Sequence, residues 1–158
     1  MESFSFSIPQ NIRFGKGSLK FLPEMAGRLQ KKRALIISGP YLNKIGMVKQ
    51  CRDALYAAGI DSAAFTETEG NPGTQTVEKA AKTYKDAKAD FIVAFGGGSP
   101  LDVAKAAAIL IAYGGCITEY EGADKVPGPV VPIIAVPTTA GTGSEVTSFA
   151  VITDHSRN

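Results

Sequence analysis

Along this chain, short blocks of almost unbroken apolar residues alternate with longer stretches in which apolar positions recur every three or four residues. The segments Ala34-Leu35-Ile36-Ile37-Ser38 and Phe91-Ile92-Val93-Ala94-Phe95 read as buried strands. Residues 62–66 and 131–136 are further strand candidates, the last with Pro132 near its start. Helical patterning predicts helices over 18–30, 42–58, from Thr74 or Thr76 to about 87, and from a glycine-rich junction to Tyr113. Ser18 is the expected cap of the first, with Pro23 marking an alternative start one turn later. Gly59 is placed to stop the second helix and Gly114-Gly115 to stop the last. Residues 3–7 and 12–14 look like short strands at an edge. Such alternation predicts an α/β fold: Rossmann-like and doubly wound, with a mostly parallel sheet and helices on both faces. No internal repeat or low-complexity segment interrupts it.

The bulk properties narrow the partners. At 158 residues, with 44% hydrophobic and 20% charged residues, the chain suits one globular domain with a core of useful size. A net charge of +2 is too small to point to nucleic acid or an acidic membrane. The one tight basic run, Lys31-Lys32-Arg33, reads as a solvated turn. No apolar run is long enough for a transmembrane helix, and residues 1–10 lack the charged and apolar regions of a signal peptide. Cys51 and Cys116 form no CxxC pattern, which fits two reduced thiols in a cytoplasmic protein.

The candidate chemistry sits where strands give way to helices. Phe95-Gly96-Gly97-Gly98-Ser99-Pro100-Leu101-Asp102 joins a strand to a helix through three glycines. Ser99 is placed to cap that helix, Pro100 to occupy its first position and Asp102 its first turn. Free backbone N–H groups at the positive end of a helix dipole make a site for phosphate or pyrophosphate, and glycines let a ligand approach closely. Taken alone, the glycines are also what a tight strand-to-helix turn needs, and the spacing is not GxGxxG. A second constellation, Pro137-Thr138-Thr139-Ala140-Gly141-Thr142-Gly143-Ser144-Glu145, offers hydroxyls and N–H groups to ribose, phosphate or an amide, although a plain polar loop has the same composition. Gly39 and Asn71 fall at the ends of two other strands. In open α/β sheets ligands bind outside the carboxyl ends of the strands, so four loops would frame one cleft.

With these segments in view, the sequence resembles the iron-containing (group III) alcohol dehydrogenase family. The matching stretches are Phe14-Gly15-Lys16-Gly17-Ser18-Leu19, Asn71-Pro72, the glycine junction through Lys105, the threonine loop, and Val151-Ile152-Thr153-Asp154. Glycerol dehydrogenases and dehydroquinate synthases share a similar glycine turn but are less similar in the threonine loop. The resemblance implies a dehydroquinate synthase-like N-terminal domain that binds NAD(P), spanning 1–158, in an oxidoreductase that moves hydride between the nicotinamide and an alcohol or aldehyde. It implies that Gly97, Gly98 and Ser99 hold the pyrophosphate and that Asp102 supports their helix near the cofactor. By the same resemblance, Thr138, Thr139 and Thr142 line the adenosine and phosphate side, Asn71 touches the cofactor, and Phe149 and Val151 lie near the nicotinamide and substrate.

Two departures from the family pattern matter. Members that prefer NAD often carry an aspartate where this chain has Gly39; without that carboxylate nothing repels a 2′-phosphate, and the expectation leans to NADP. Ser38, Asn43 or Lys44 would then meet the extra phosphate. Second, the family holds its iron or zinc with one aspartate and three histidines in a helical C-terminal domain, whereas this chain has one histidine, His155, in a polar and exposed setting. The chain is therefore expected to be the cofactor half of a longer enzyme, catalytically incomplete by itself, with no catalytic or metal-binding residue of its own. The competing readings are a non-catalytic NAD(P)-binding module and a degenerate fragment without a ligand. Family members commonly dimerise through the N-terminal edge, which makes a homo-oligomer through residues 3–7 and 12–14 the expected assembly.

Overall fold

A computed structural model describes residues 11–157. Four strands, β1 (Arg33–Ser38), β2 (Asp61–Phe65), β3 (Phe91–Gly96) and β4 (Ile133–Pro137), form one sheet in the order β2-β1-β3-β4. Every pairing is parallel, with Ser38 opposite Phe95 and Gly96 opposite Pro137. The two central strands are buried along their whole length except at Arg33, so their apolar runs face protein on both sides.

Alternate side chains of these strands feed two cores. On one face Leu35, Ile37, Ile92 and Ala94 pack with Val77, Ala80 and Tyr84 of α4 (Thr74–Asp86) and with Leu101, Ala104 and Ala108 of α5 (Gly98–Tyr113). On the other, Ala34, Ile36, Phe91 and Val93 pack with Leu22 and Ala26 of α1 (Leu22–Arg28) and with Val48, Cys51 and Leu55 of α3 (Met47–Ala57). The doubly wound, two-faced architecture expected from the sequence is therefore present. Burial pushes the Cys51 thiol up to about 12, which fits an inert core thiol. Among the described residues no helix is long and apolar enough to cross a membrane.

The local differences from the sequence reading have physical causes. Residues 12–14 form no strand: Phe14 is 99% exposed, and Arg13 instead reaches Glu24 of α1 at 3.3 Å. Residues 3–7 lie outside the described residues. Ser18 caps nothing; it opens a single 3-10 turn (Ser18–Phe21) whose N-cap is Gly17, and the α-helix proper starts at Leu22 with Pro23 in its first turn. The helix expected over 42–58 is two helices, α2 (Pro40–Lys44) and α3, because Gly46 takes a left-handed φ of 81° between them. Gly59 ends α3 as expected, with the Ile60 N–H donating to the Leu55 carbonyl at 3.0 Å. Arg33 of the basic run is not simply solvated: it pairs with Asp61 at 2.8 Å, while Asp90 accepts the Lys32 and Arg33 N–H groups. These ties lie at the amino ends of the strands and leave the opposite edge to the loops.

Two turns set up that carboxyl edge. Gly96 sits at φ 150°, and a Cβ there would stand 2.8 Å from Cγ of Pro100. Before α4, one Glu69 carboxylate oxygen accepts the Gly73 N–H at 3.3 Å and the Thr76 hydroxyl at 2.5 Å. Partial burial pushes the Glu69 pKa up, but bonds from Thr76, its own N–H and Gly73, with the Lys79 charge, outweigh it and hold the pKa below the ordinary value.

Gly96→Ala is expected to lower the free energy of unfolding by about 1–3 kcal/mol through strain and overpacking. Gly27→Ala, in open space on α1, should leave it unchanged or raise it by less than about 1 kcal/mol. Urea unfolding of the two variants checks the contrast. Because folding depresses the Glu69 pKa, its stabilising effect is fully present above the ordinary carboxylate value and is lost as pH falls through the folded-state value. The Tm difference between the native chain and Glu69→Ala should be largest near neutral pH and shrink in acid; a difference that grows in acid would contradict this account.

Candidate functional site

All four strands run the same way, so their carboxyl ends share one edge. The chain leaves β1 toward β2 on one side and returns to β3 on the other, which places the switch in strand order between β1 and β3. At that point Gly39 and the Gly96-Gly97 turn stand over adjacent strand ends. Gly39 is the N-cap of α2, and a Cβ on it would come 3.3 Å from the Thr68 carbonyl oxygen. Ser38 and Thr68, beside it, carry buried hydroxyls with no hydrogen-bond partner among the described residues. Asn71, exposed and left-handed at φ 50°, lies in the loop after β2 that Glu69 ties to α4.

The α5 N-terminus is formed differently from the sequence expectation. Gly97, not Ser99, is the N-cap, and no side chain caps the helix. Ser99 and Pro100 fall inside the first turn, and Gly97, Gly98 and Ser99 are half-buried. An uncapped first turn presents backbone N–H groups at the positive end of a 16-residue helix. The threonine loop lies over this turn. Thr138 N–H donates to the Gly96 carbonyl at 2.8 Å, extending the strand pairing by one step. A Cβ on Gly97 would stand 3.1 Å from the Thr139 hydroxyl oxygen, and one on Gly98 would stand 3.4 Å from Cβ of Thr142. At Gly97 a side chain would crowd this approach, whereas at Gly98 the contact would be near ordinary van der Waals distance. Thr138, Thr139 and Thr142 are themselves exposed, with the Thr142 hydroxyl accepting the Ser144 N–H at 3.4 Å.

Asp102 is bonded on both carboxylate oxygens within the protein. Its Oδ1 accepts the Ser144 hydroxyl and pairs with Lys105 at 3.2 Å, and its Oδ2 accepts the Val151 N–H at 3.2 Å. Lys105, one turn on along the same face of α5, donates to the carbonyls of Ser144 at 3.0 Å and of Phe149. Neither Lys105 nor Ser144 is among the site residues drawn from the sequence, although the i, i+3 spacing of Asp102 and Lys105 already puts both on one face. Phe149 and Val151 follow on the segment so held, 66% and 76% exposed. Farther on, Thr153 pairs with the Asn71 loop: its N–H donates to the Pro72 carbonyl at 2.9 Å and its carbonyl accepts the Thr74 N–H at 3.1 Å. The loops after β2, β3 and β4 are thus joined into one rim.

The residues fit a nucleotide and do not fit a metal. The open glycine turn and exposed threonines form a cradle that accepts anionic and hydroxyl groups. Among the described residues no group of three or more His, Cys, Asp or Glu side chains is placed to hold a metal ion. His155 is exposed, as expected, with its ring against Gly73.

The chain is similar to known proteins over nearly its whole length. It is 38% identical over 153 residues to the NAD-dependent methanol dehydrogenase of Bacillus methanolicus, covering 97% of this chain and 40% of that one. The structure superposes on the sulfoacetaldehyde reductase from Bifidobacterium kashiwanohense in complex with NAD+ with a TM-score of 0.91 and 34% identity, covering 99% of this chain and 41% of that one. It superposes on a 1,3-propanediol oxidoreductase with a TM-score of 0.94 and 34% identity, covering 98% and 41%. The chain spans about 40% of the length of the curated relatives it matches. The family model described as iron-containing alcohol dehydrogenase matches residues 9–158. On its sequence, its parallel sheet and its glycine and threonine loops, the chain belongs to the iron-containing alcohol dehydrogenase family.

Proposed function

We propose that this chain binds a nicotinamide nucleotide across the carboxyl edge of its sheet and forms the cofactor half of an alcohol–aldehyde oxidoreductase. The observation that carries this reading is the uncapped α5 N-terminus at the strand-order switch, overlaid by exposed threonines. The N–H groups of Gly98 and Ser99 would hold the pyrophosphate in the helix-dipole field. Thr138, Thr139 and Thr142 would bond to phosphate and ribose oxygens, with Gly39 and Asn71 beside the adenosine. When bound, the nicotinamide supplies or takes up hydride at its ring carbon. Phe149 and Val151, both exposed, would pack against that ring and keep water from it.

The relatives' length and the scattered donors of this chain support a second domain as the bearer of the family's metal. Residues 1–158 are, on this reading, the NAD(P)-binding domain, and no metal-dependent step is assigned to their side chains. Gly39 supports a lean to NADP. It offers no carboxylate to bond the adenosine ribose or repel a 2′-phosphate, and Lys44 lies in the last turn of the short helix that Gly39 starts. The absence of a metal donor cluster among the described residues favours, as a second reading, a module that binds the nucleotide without turning it over.

Isothermal titration of the purified chain should show NADPH binding at least as tightly as NADH, and Gly39→Asp should shift the preference toward NADH by about tenfold. NADH binding more than tenfold tighter than NADPH in the native chain would refute the NADP lean. The chain alone, with iron or zinc added, should show negligible alcohol oxidation; robust metal-dependent turnover would refute its assignment as the cofactor half only.

A further inference from the structure

Lys105 lies on α5 beyond the glycine turn, and nothing in the proposed nucleotide contacts uses it. Its side chain is only 17% exposed, and that of its partner Asp102 is 14% exposed. The ammonium donates to the Ser144 carbonyl at 3.0 Å and to the Phe149 carbonyl, with the Thr147 carbonyl at 3.5 Å. Three carbonyls from six consecutive residues therefore curl around one charge. This stretch contains no helix or strand, so no backbone ladder fixes its shape. From the same face of α5, Asp102 takes the Ser144 hydroxyl and the Val151 N–H, which closes the curl at its two ends. Charge-assisted bonds of this kind are stronger than neutral ones, and removing the cation leaves the part-buried Ser144 carbonyl and the Asp102 carboxylate without their partner. A compact ammonium suits three converging carbonyls better than a planar guanidinium fork.

We propose that Lys105, acting with Asp102, is a positioning residue that shapes segment 144–151 and so sets the environment of the nicotinamide end of the bound nucleotide, leaving the phosphate cradle to the glycine turn. This rests on the nucleotide-binding reading above. The middle of the ligand and its nicotinamide end are then controlled by different parts of one helix: the pyrophosphate by the backbone of its first turn, the nicotinamide by side chains in its second. Lys105 also lines, with Phe149 and Ile152, a cavity of about 390 Å³ on the side of the segment toward α5. Loss of its bonds therefore gives the segment room to collapse inward.

The test compares the native 158-residue chain with Lys105→Met, which keeps the apolar stem and removes the charge. Two ligands are titrated: NADPH, and 2′-phospho-ADP-ribose, which lacks the nicotinamide. Hydrogen exchange is measured on the ligand-free proteins. In Lys105→Met, NADPH affinity should fall about tenfold or more, while 2′-phospho-ADP-ribose affinity stays within about threefold. The Val151 amide should lose protection while amides of β1 and β3 keep theirs. Equal losses for both ligands, an unchanged NADPH affinity, or unchanged Val151 protection would each overturn the proposal. A native chain that binds neither ligand overturns the nucleotide reading and this proposal with it; a native chain that binds both, matched by Lys105→Met, overturns this proposal alone. If Lys105→Met does not fold, Ser144→Ala, which removes a single bond to Asp102, should show the same split to a smaller degree, and no split there overturns the proposal.

Discussion

Parallel pairing of β1 with β3 at the centre of the sheet is the constraint on which the rest of the structure depends. A parallel pair cannot be closed by a hairpin, so each strand must return through a helix, and the helices must cover both faces. That demand explains the unbroken apolar runs of both strands, and it explains why α5 is apolar almost all round. It also sends every strand out at the same edge. The polar work of the molecule is concentrated there because the interior of such a sheet has no place for it.

Chain ends of parallel strands leave backbone groups that must find partners, and this edge satisfies them by joining its loops to one another. Thr138 continues the ladder onto Gly96, and Thr153 pairs with Pro72 and Thr74. Asp102 and Lys105 hold the segment between. At the α5 N-terminus no side chain caps the helix, and nearby Ser38 and Thr68 carry hydroxyls without a partner among the described residues. Loops tied to one another around an uncapped helix end give a fixed scaffold that gathers backbone N–H donors on one side of the edge.

The central strands, the long helices and the glycine junction were legible in the sequence because each rests on a local signal: an apolar run, a helical period, a strand-to-helix turn. Boundaries failed where one glycine overrode the period, as at Gly46, and where a residue with capping chemistry met an N-cap already occupied by glycine, as at Ser18 and Ser99. The short strand expected over 12–14 had a suitable pattern but no partner strand among the described residues. A strand, unlike a helix, cannot satisfy its own backbone. The roles of Lys105 and Ser144 were hidden for a different reason. Their partners are backbone carbonyls and a carboxylate some forty residues away, and backbone groups carry no residue identity that a sequence pattern could display.

The same distinction bears on Asp102. In sequence, its place near the start of a helix whose N-terminus reads as a phosphate site implies, by family resemblance, a residue that supports the helix near the cofactor. A carboxylate there would oppose an anionic ligand in the very field the helix dipole provides. In the structure its oxygens are turned to Lys105, Ser144 and Val151, and the adjacent ammonium offsets its charge. The pair therefore weakens the positive field of the helix end little and bonds the neighbouring segment. An acid near a helix N-terminus leaves its positive field largely intact when a base one turn further on compensates it, and here that base also bonds the carbonyls of the segment after the threonine loop.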